Sequence, residues 1–159
     1  MHTRLAVAGL VSAALALAAC GSGGGKTVSK AEFLRKGNDL CATAKTDVDK
    51  LKSPDADPQS DLTKAQLKEI GDYLDKAIPI QNRLIGKLRD LGAPAGDASK
   101  LSKLYDESDS GTKELTTAAN QARNGNQASF RDHLKKGGDK LDAAQKGVTD
   151  YGLDKCGSV

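Results

Sequence analysis

The sequence predicts an all-α protein, an up-down-up-down four-helix bundle with one disulfide. Apolar and small residues recur every three or four positions in four segments, which is the spacing of one helix face. Clusters of Pro, Gly and Asp separate the segments, and none of them alternates apolar and polar residues as a strand would. Short connections between long helices favour antiparallel neighbours around one core.

The first helix is predicted over residues 30–51. Ser29 and Glu32 have the spacing of a capping box, in which the Ser hydroxyl accepts a backbone N–H and the Glu side chain reaches back. Cys41 lies beside the apolar stripe of this helix, and Pro54 is a stop signal.

The second helix is predicted over residues 64–91, with Thr63 and Gln66 as a second capping box. Pro79 lies inside this segment. Because proline removes a backbone donor and clashes with the preceding turn, we expect a kink over residues 75–80.

The third helix is predicted to start at Asp97 as its N-cap and to end near residue 124. Residues 109–112, in its middle, have low helix propensity. The fourth helix is predicted over residues 126–153, and its apolar positions repeat as regular heptads. Such a seam favours a packing partner with a left-handed crossing.

Residues 1–19 read as a targeting segment that is not part of the fold. Arg4 supplies a positive charge, and residues 5–17 form a run of 13 apolar or small residues. A membrane-spanning helix needs about 20 apolar residues, so this run fits the apolar core of a secretory signal peptide instead.

The end of this segment resembles a bacterial lipobox, Leu17-Ala18-Ala19-Cys20. In that motif the Cys thiol receives a diacylglyceryl group and cleavage occurs just before it. The alternative is an ordinary signal peptide followed by a chance cysteine. Residues 20–28 then form the lipidated cysteine and a flexible Gly/Ser tether, and residues 29–159 form the helical domain. We expect a palmitate-type lipid anchor on the extracytoplasmic face of the cell membrane.

The composition without the leader excludes several function classes. Of 159 residues 140 remain; Lys plus Arg falls from 24 to 23 because Arg4 is removed, and Asp plus Glu stays at 21, so the net charge is about +2. A nearly balanced charge argues against a nucleic-acid partner. His133 is the only remaining histidine, which leaves few ligands for a metal or haem, and we expect neither a cofactor nor an enzymatic activity.

Removing Cys20 leaves an even pair of cysteines, Cys41 and Cys156. In an oxidising extracytoplasmic compartment one disulfide is the economical interpretation. A redox or metal-binding thiol pair is the alternative, but the sequence has no C-x-x-C motif to support it.

The tyrosines are the remaining candidates for a ligand site. We expect a groove near the Pro79 kink, lined by Tyr73 or Tyr105, as the place where a ligand would bind. No other constellation of residues in the sequence predicts chemistry, because His133 has no Ser/His/Asp motif around it.

Several of these segments are similar to those of a family of small actinobacterial lipoproteins and secreted helical proteins. They are Ser29-Lys-Ala-Glu-Phe33, Leu40-Cys-Ala42, Leu91-Gly-Ala-Pro-Ala-Gly-Asp97 and Tyr151-Gly-Leu-Asp-Lys-Cys-Gly157. The resemblance implies a disulfide between the two cysteines and a membrane-tethered helical domain. It implies no reaction.

The expected function is that of a membrane-anchored lipoprotein acting as a non-enzymatic interaction or binding module of the cell envelope. Its partners would be the membrane, through the lipid, and an envelope protein or cell-wall component. The alternative is a carrier of a small ligand or metal that uses a cleft in the bundle.

Overall fold

The structure, a computed structural model, describes residues 27–158. The leader, the lipobox and Cys20 lie outside the described residues. The elements are α1 (Lys30–Asp49), α2 (Lys64–Asp90), α3 (Ala98–Arg123), α4 (Gln127–Tyr151) and a short 3-10 helix (Asp154–Ser158), here called the C-terminal turn. Within residues 27–158 there is no strand beyond an isolated bridge between Thr27 and Ala93, so the all-α prediction is confirmed.

The helices alternate in direction, as an up-down-up-down bundle requires. Arg89, near the end of α2, lies 2.8 Å from Asp109 in the middle of α3, whereas Asp75, earlier in α2, pairs with Arg123 at the end of α3, so these two helices run antiparallel. The start of α1 meets the end of α4, where the Phe33 and Tyr151 rings make an edge-to-face contact at 5.9 Å between centroids. The chain enters at this end, which we call the tether end.

The predicted caps are present, with one difference in each of α1 and α3. Thr63 and Gln66 form a complete capping box. Ser29 accepts the backbone N–H of Glu32 at 3.2 Å, while the Glu32 carboxylate lies 2.6 Å from Lys36. Lys36, one turn further along the helix, thus pairs with the carboxylate that was expected to complete the capping box.

Asp97 holds the N-cap position of α3, but its side chain makes no capping hydrogen bond. Its carboxylate instead accepts the Tyr151 hydroxyl at 2.6 Å and lies 3.6 Å from the Lys30 ammonium. These two contacts, the hydrogen bond first, hold the pKa of Asp97 below its usual range. Asp97 therefore ties together α1, α3 and α4 at the tether end.

The helix ends follow the predicted punctuation closely. α1 ends at Asp49, before the predicted stop at Pro54, and α2 continues through Pro79 to Asp90. α4 ends where Gly152 takes a φ of 112°, and the Leu153 N–H bonds back to the Val148 carbonyl. Glycine adopts this left-handed conformation without the steric penalty that a Cβ atom would bring.

α1 is shorter than its three partners, and residues 50–63 take its place at the far end of the bundle. The Arg131 Nε donates to the Pro58 carbonyl at 3.0 Å, and the Leu62 N–H donates to the Gln127 side chain at 3.2 Å. Ala56 and Leu62 pack against the far-end core. The bundle thus has four helices at the tether end and three helices with a loop at the other.

The buried apolar residues form two separate clusters. The tether-end cluster is Phe33, Cys41, Ala44, Leu84, Ile85, Leu88, Leu101, Tyr105, Val148, Tyr151, Leu153 and Cys156. The far-end cluster is Leu67, Ile70, Leu74, Ile78, Ala118, Ala119, Ala122 and Phe130. Two buried polar residues, Ser108 and Thr112, lie on the stretch of α3 between them.

Glycines bring α3 and α4 into close contact. A Cβ atom added to Gly111 would lie 3.1 Å from the Gly137 carbonyl oxygen, and the reverse distance is also 3.1 Å. Leu141 fills the space over Gly111, and Leu115 fills the space over Gly137. Any larger residue at either glycine would force the helices or these leucines apart.

The predicted disulfide between Cys41 and Cys156 is present, with 4.9 Å between the two Cα atoms. Both cysteines are buried in the tether-end cluster, so the bond fastens the C-terminal turn to α1. The cross-link spans a sequence separation of 115 residues. Loops of this length lose much entropy on closure, so the bond restricts the unfolded chain strongly.

We expect the Cys41→Ser/Cys156→Ser variant to lose about 4–5 kcal/mol of unfolding free energy, since the cross-link no longer restricts the unfolded chain. The measurement is urea denaturation of residues 20–159 with Cys20→Ser, here called the unlipidated chain, which contains every described helix. Reductant should lower the unfolding free energy of the unlipidated chain by a similar amount and leave that of the double variant unchanged. Two titratable thiols in the unfolded, unreduced chain would contradict the disulfide.

Gly137 and Gly138 are neighbouring positions with which the close contact of α3 and α4 can be tested by mutation. A Cβ atom on Gly137 would lie 2.7 Å from Leu115 Cδ2, whereas one on Gly138 would meet nothing within 4 Å. Gly137→Ala should therefore destabilise the unlipidated chain by about 1–3 kcal/mol. Gly138→Ala should stabilise it by about 0.5–1 kcal/mol through helix propensity. Equal urea midpoints for the two variants would refute the close contact.

Candidate functional site

A cavity of about 180 Å³ lies in the middle of the bundle, and it is partly open to solvent. Its wall includes Ile78 from the far-end cluster and Leu84, Leu88 and Val148 from the tether-end cluster. The cavity therefore occupies the gap between the two halves of the core.

Most of the cavity wall is apolar. α2, α3 and α4 all contribute, and α1 contributes Val48 alone. Cys156 brings the disulfide to the wall from the C-terminal turn. Among the lining residues, all of them within the described part of the chain, none is charged.

Four polar side chains face the same space: Gln81, Ser108, Thr112 and Gln145. The Gln81 Nε2 donates to the Ser108 hydroxyl at 3.2 Å and so connects α2 to α3. The Gln145 Nε2 donates to the Cys156 carbonyl at 3.4 Å and helps to hold the C-terminal turn. These amides and hydroxyls leave the apolar cavity with a small, uncharged polar patch.

The cavity exists because the inward positions of α3 change character halfway along the helix. Leu101 and Tyr105 fill the tether-end core, but Ser108, Gly111 and Thr112 follow. These three residues are buried, yet they are too small to reach across the bundle. Missing side-chain volume in a core that cannot collapse leaves a cavity.

The α3–α4 side of the wall is held by leucines that sit over glycines. Leu115 and Leu141 cover Gly137 and Gly111, and Leu104 lies where a Cβ atom of Gly147 would be, at 2.3 Å. All three leucines line the cavity. Because each is confined by the backbone of the facing helix, this wall has little freedom to move inward and close the space.

The two predicted ligand-site tyrosines lie outside the cavity lining. Tyr73 is half-buried and packs against the far-end cluster. Tyr105 is buried in the tether-end cluster, next in sequence to the lining residue Leu104. Ile78 and Gln81, on either side of Pro79, both line the cavity.

The Tyr105 hydroxyl is buried and has no hydrogen-bond partner. Burial raises the pKa of Tyr105 to about 12, although the nearby Arg89 guanidinium, 5.4 Å from the ring centroid, acts in the opposite direction. Tyr105 is therefore a neutral core residue at neutral pH.

His133 is half-buried on the outer face of the α3–α4 pair. Its Nδ1 lies 2.8 Å from Glu114, which is also 3.4 Å from the Lys140 ammonium. The hydrogen bond to His133 is the main cause that lowers the pKa of Glu114. This charged cluster bridges two helices, and none of its members lines the cavity.

Residues 27–158 contain no group of three or more His, Cys, Asp or Glu side chains placed to hold a metal ion. No helix in that range has the length and apolarity to cross a membrane. No family model, curated protein or solved structure matches the chain. The argument for a function therefore rests on the cavity and on the sequence that precedes the described residues.

Proposed function

We propose that this chain is a lipid-anchored, extracytoplasmic, non-enzymatic binding module, and that the bundle cavity is its binding site. The cavity is the observation that carries the proposal. It is of the size that holds a small organic molecule, since an apolar cavity of about 150 Å³ binds benzene. It is also partly open to solvent.

The apolar wall of the cavity favours an apolar ligand over water. Because the cavity is partly open to solvent, water reaches this wall, and an apolar ligand that displaces the water removes apolar surface from contact with it. This gain in free energy supports a binding role.

The wall of the cavity is also well fixed before any ligand arrives. The disulfide holds Cys156, and Gly111, Gly137 and Gly147 confine the leucines on the α3–α4 side. A preformed site spends little free energy on ordering when it binds. The closest sequence expectation is the carrier with a cleft in the bundle, and an apolar, uncharged wall favours a small organic molecule over a metal ion.

The anchor is proposed from the sequence. Cys20 follows a lipobox, and about eight tether residues separate it from the fold, with a root-mean-square reach of roughly 16 Å. Thr27, the first described residue, lies at the tether end of the bundle. The resemblance to small actinobacterial lipoproteins supports the same placement. The cavity would then stand close to the outer face of the membrane, where apolar molecules concentrate.

We expect the chain purified from membranes to begin at Cys20 and to carry a diacylglyceryl group. Intact-mass and N-terminal peptide mass spectrometry measure both features. Cys20→Ala should abolish the lipid, because the motif requires the thiol as nucleophile; Ser22→Ala, in the tether, is the matched control and should leave the lipid in place. An unmodified Cys20 in the wild-type chain would refute the anchor.

We expect toluene to bind the unlipidated chain and to raise its thermal midpoint in proportion to the logarithm of toluene concentration. Ala144, which is buried and lines the cavity, tests the location. Ala144→Leu should fill the space and weaken toluene binding at least tenfold. Ala143→Leu, on the exposed neighbouring position, should leave the affinity within twofold of wild type.

Loss of toluene binding in both leucine variants would point to general destabilisation, so circular dichroism and urea midpoints accompany the titrations. Toluene binding that is unaffected by Ala144→Leu would place the ligand elsewhere. Absence of any toluene binding to the wild-type chain would overturn the cavity as a site for apolar molecules.

A further inference from the structure

We infer that the ligand of the cavity is an uncharged amphiphile, about the size of a substituted six-membered ring, with one hydrogen-bonding group that pairs with Gln81 and Ser108. This inference rests on the proposed function and names the ligand class. It follows from three properties of the cavity: its charge, its polar patch and its volume.

Charge excludes the ionised ligands. None of the lining side chains within residues 27–158 is charged, so a carboxylate or an ammonium group would lose its hydration without gaining an ionic partner. The nearest mixed cluster, Glu114 with His133 and Lys140, is separate from the lining. An uncharged molecule pays no such penalty.

The polar patch gives the ligand an orientation. The Gln81 amide and the Ser108 hydroxyl lie 3.2 Å apart across α2 and α3, and Ser108 is almost fully buried at 2% exposure. Thr112 follows one turn along α3. The Thr112 hydroxyl donates to the Asp109 carbonyl at 3.0 Å, so it offers a ligand only an acceptor. The Gln81 amide and the Ser108 hydroxyl together retain donor and acceptor capacity beyond their own hydrogen bond, so a ligand hydroxyl, amide or carbonyl can pair with them while its apolar part contacts the leucines.

The volume of the cavity limits the size of the ligand. A benzene ring fits a cavity of about 150 Å³, and this cavity has about 180 Å³. The additional space accommodates one or two substituents. A longer alkyl chain would have to project through the opening.

Three small probes separate these properties: toluene, 4-methylphenol and 4-methylbenzoate. They share a methyl-substituted ring and differ in having no polar group, a neutral hydroxyl or a charged carboxylate. We expect 4-methylphenol to bind the unlipidated chain about two- to tenfold more tightly than toluene, since one further buried hydrogen bond contributes about that factor. We expect 4-methylbenzoate to bind at least tenfold more weakly than 4-methylphenol at neutral pH.

The residue assignment is tested with the Gln81→Met/Ser108→Ala variant. Replacing both members of the pair leaves neither one unpaired, which limits the loss of stability. The variant should bind toluene within twofold of wild type and lose the preference for 4-methylphenol. Ser110→Ala is the matched control, because Ser110 is a partly buried serine of the same helix whose hydroxyl accepts a hydrogen bond from Lys140 and does not line the cavity.

The possible outcomes separate this inference from the proposed function. A preference for 4-methylphenol that survives in the Gln81→Met/Ser108→Ala variant would overturn the pairing with these two residues. Binding of 4-methylbenzoate as tight as that of 4-methylphenol would overturn the requirement for an uncharged ligand. If neither toluene nor 4-methylphenol binds the wild-type chain, the cavity function itself is wrong.

Discussion

The close approach of α3 and α4 is the constraint on which the rest of the structure depends. Gly111 and Gly137 face one another with only 3.1 Å between each notional Cβ atom and the opposite carbonyl oxygen. This approach brings the backbones of α3 and α4 together at the middle of the bundle. Leu115 and Leu141 pack over the glycines of the facing helix, and they form the α3–α4 side of the cavity wall. The cavity is the space left between this wall and the facing side chains of α2.

The short length of α1 also determines which residues form the cavity wall. It ends at Asp49, so the middle of the bundle receives only Val48 from this helix. The C-terminal turn completes the wall with Cys156, and the disulfide to Cys41 keeps it in place. The disulfide thereby stabilises the tether-end core and also holds one part of the wall of the candidate site.

The sequence was informative about the helices because their signals are local. Capping residues such as Thr63 and the apolar seam of α4 act within one or two turns, so spacing alone predicted the elements and their order. The cavity depends on distances between helices, which periodicity does not contain. Only the packing of Gln81 against the small residue Ser108 shows that no large side chain fills this part of the core. Asp97 was placed correctly as an N-cap, yet its carboxylate bonds to Tyr151, 54 residues away in sequence.

The two proposed features of the chain, the lipid anchor and the ligand site in the cavity, are physically compatible. An apolar ligand dissolves poorly in water and concentrates in the membrane, so a soluble carrier would meet it rarely. A lipid on Cys20 and a tether of roughly 16 Å would keep the cavity beside that reservoir. An uncharged ligand crosses between the bilayer and an uncharged cavity without losing an ionic partner at either end. The polar pair of Gln81 and Ser108 then offers what hydrocarbon lacks, a hydrogen bond in an otherwise apolar space, and this difference is the physical basis on which the module would select its ligand from the membrane.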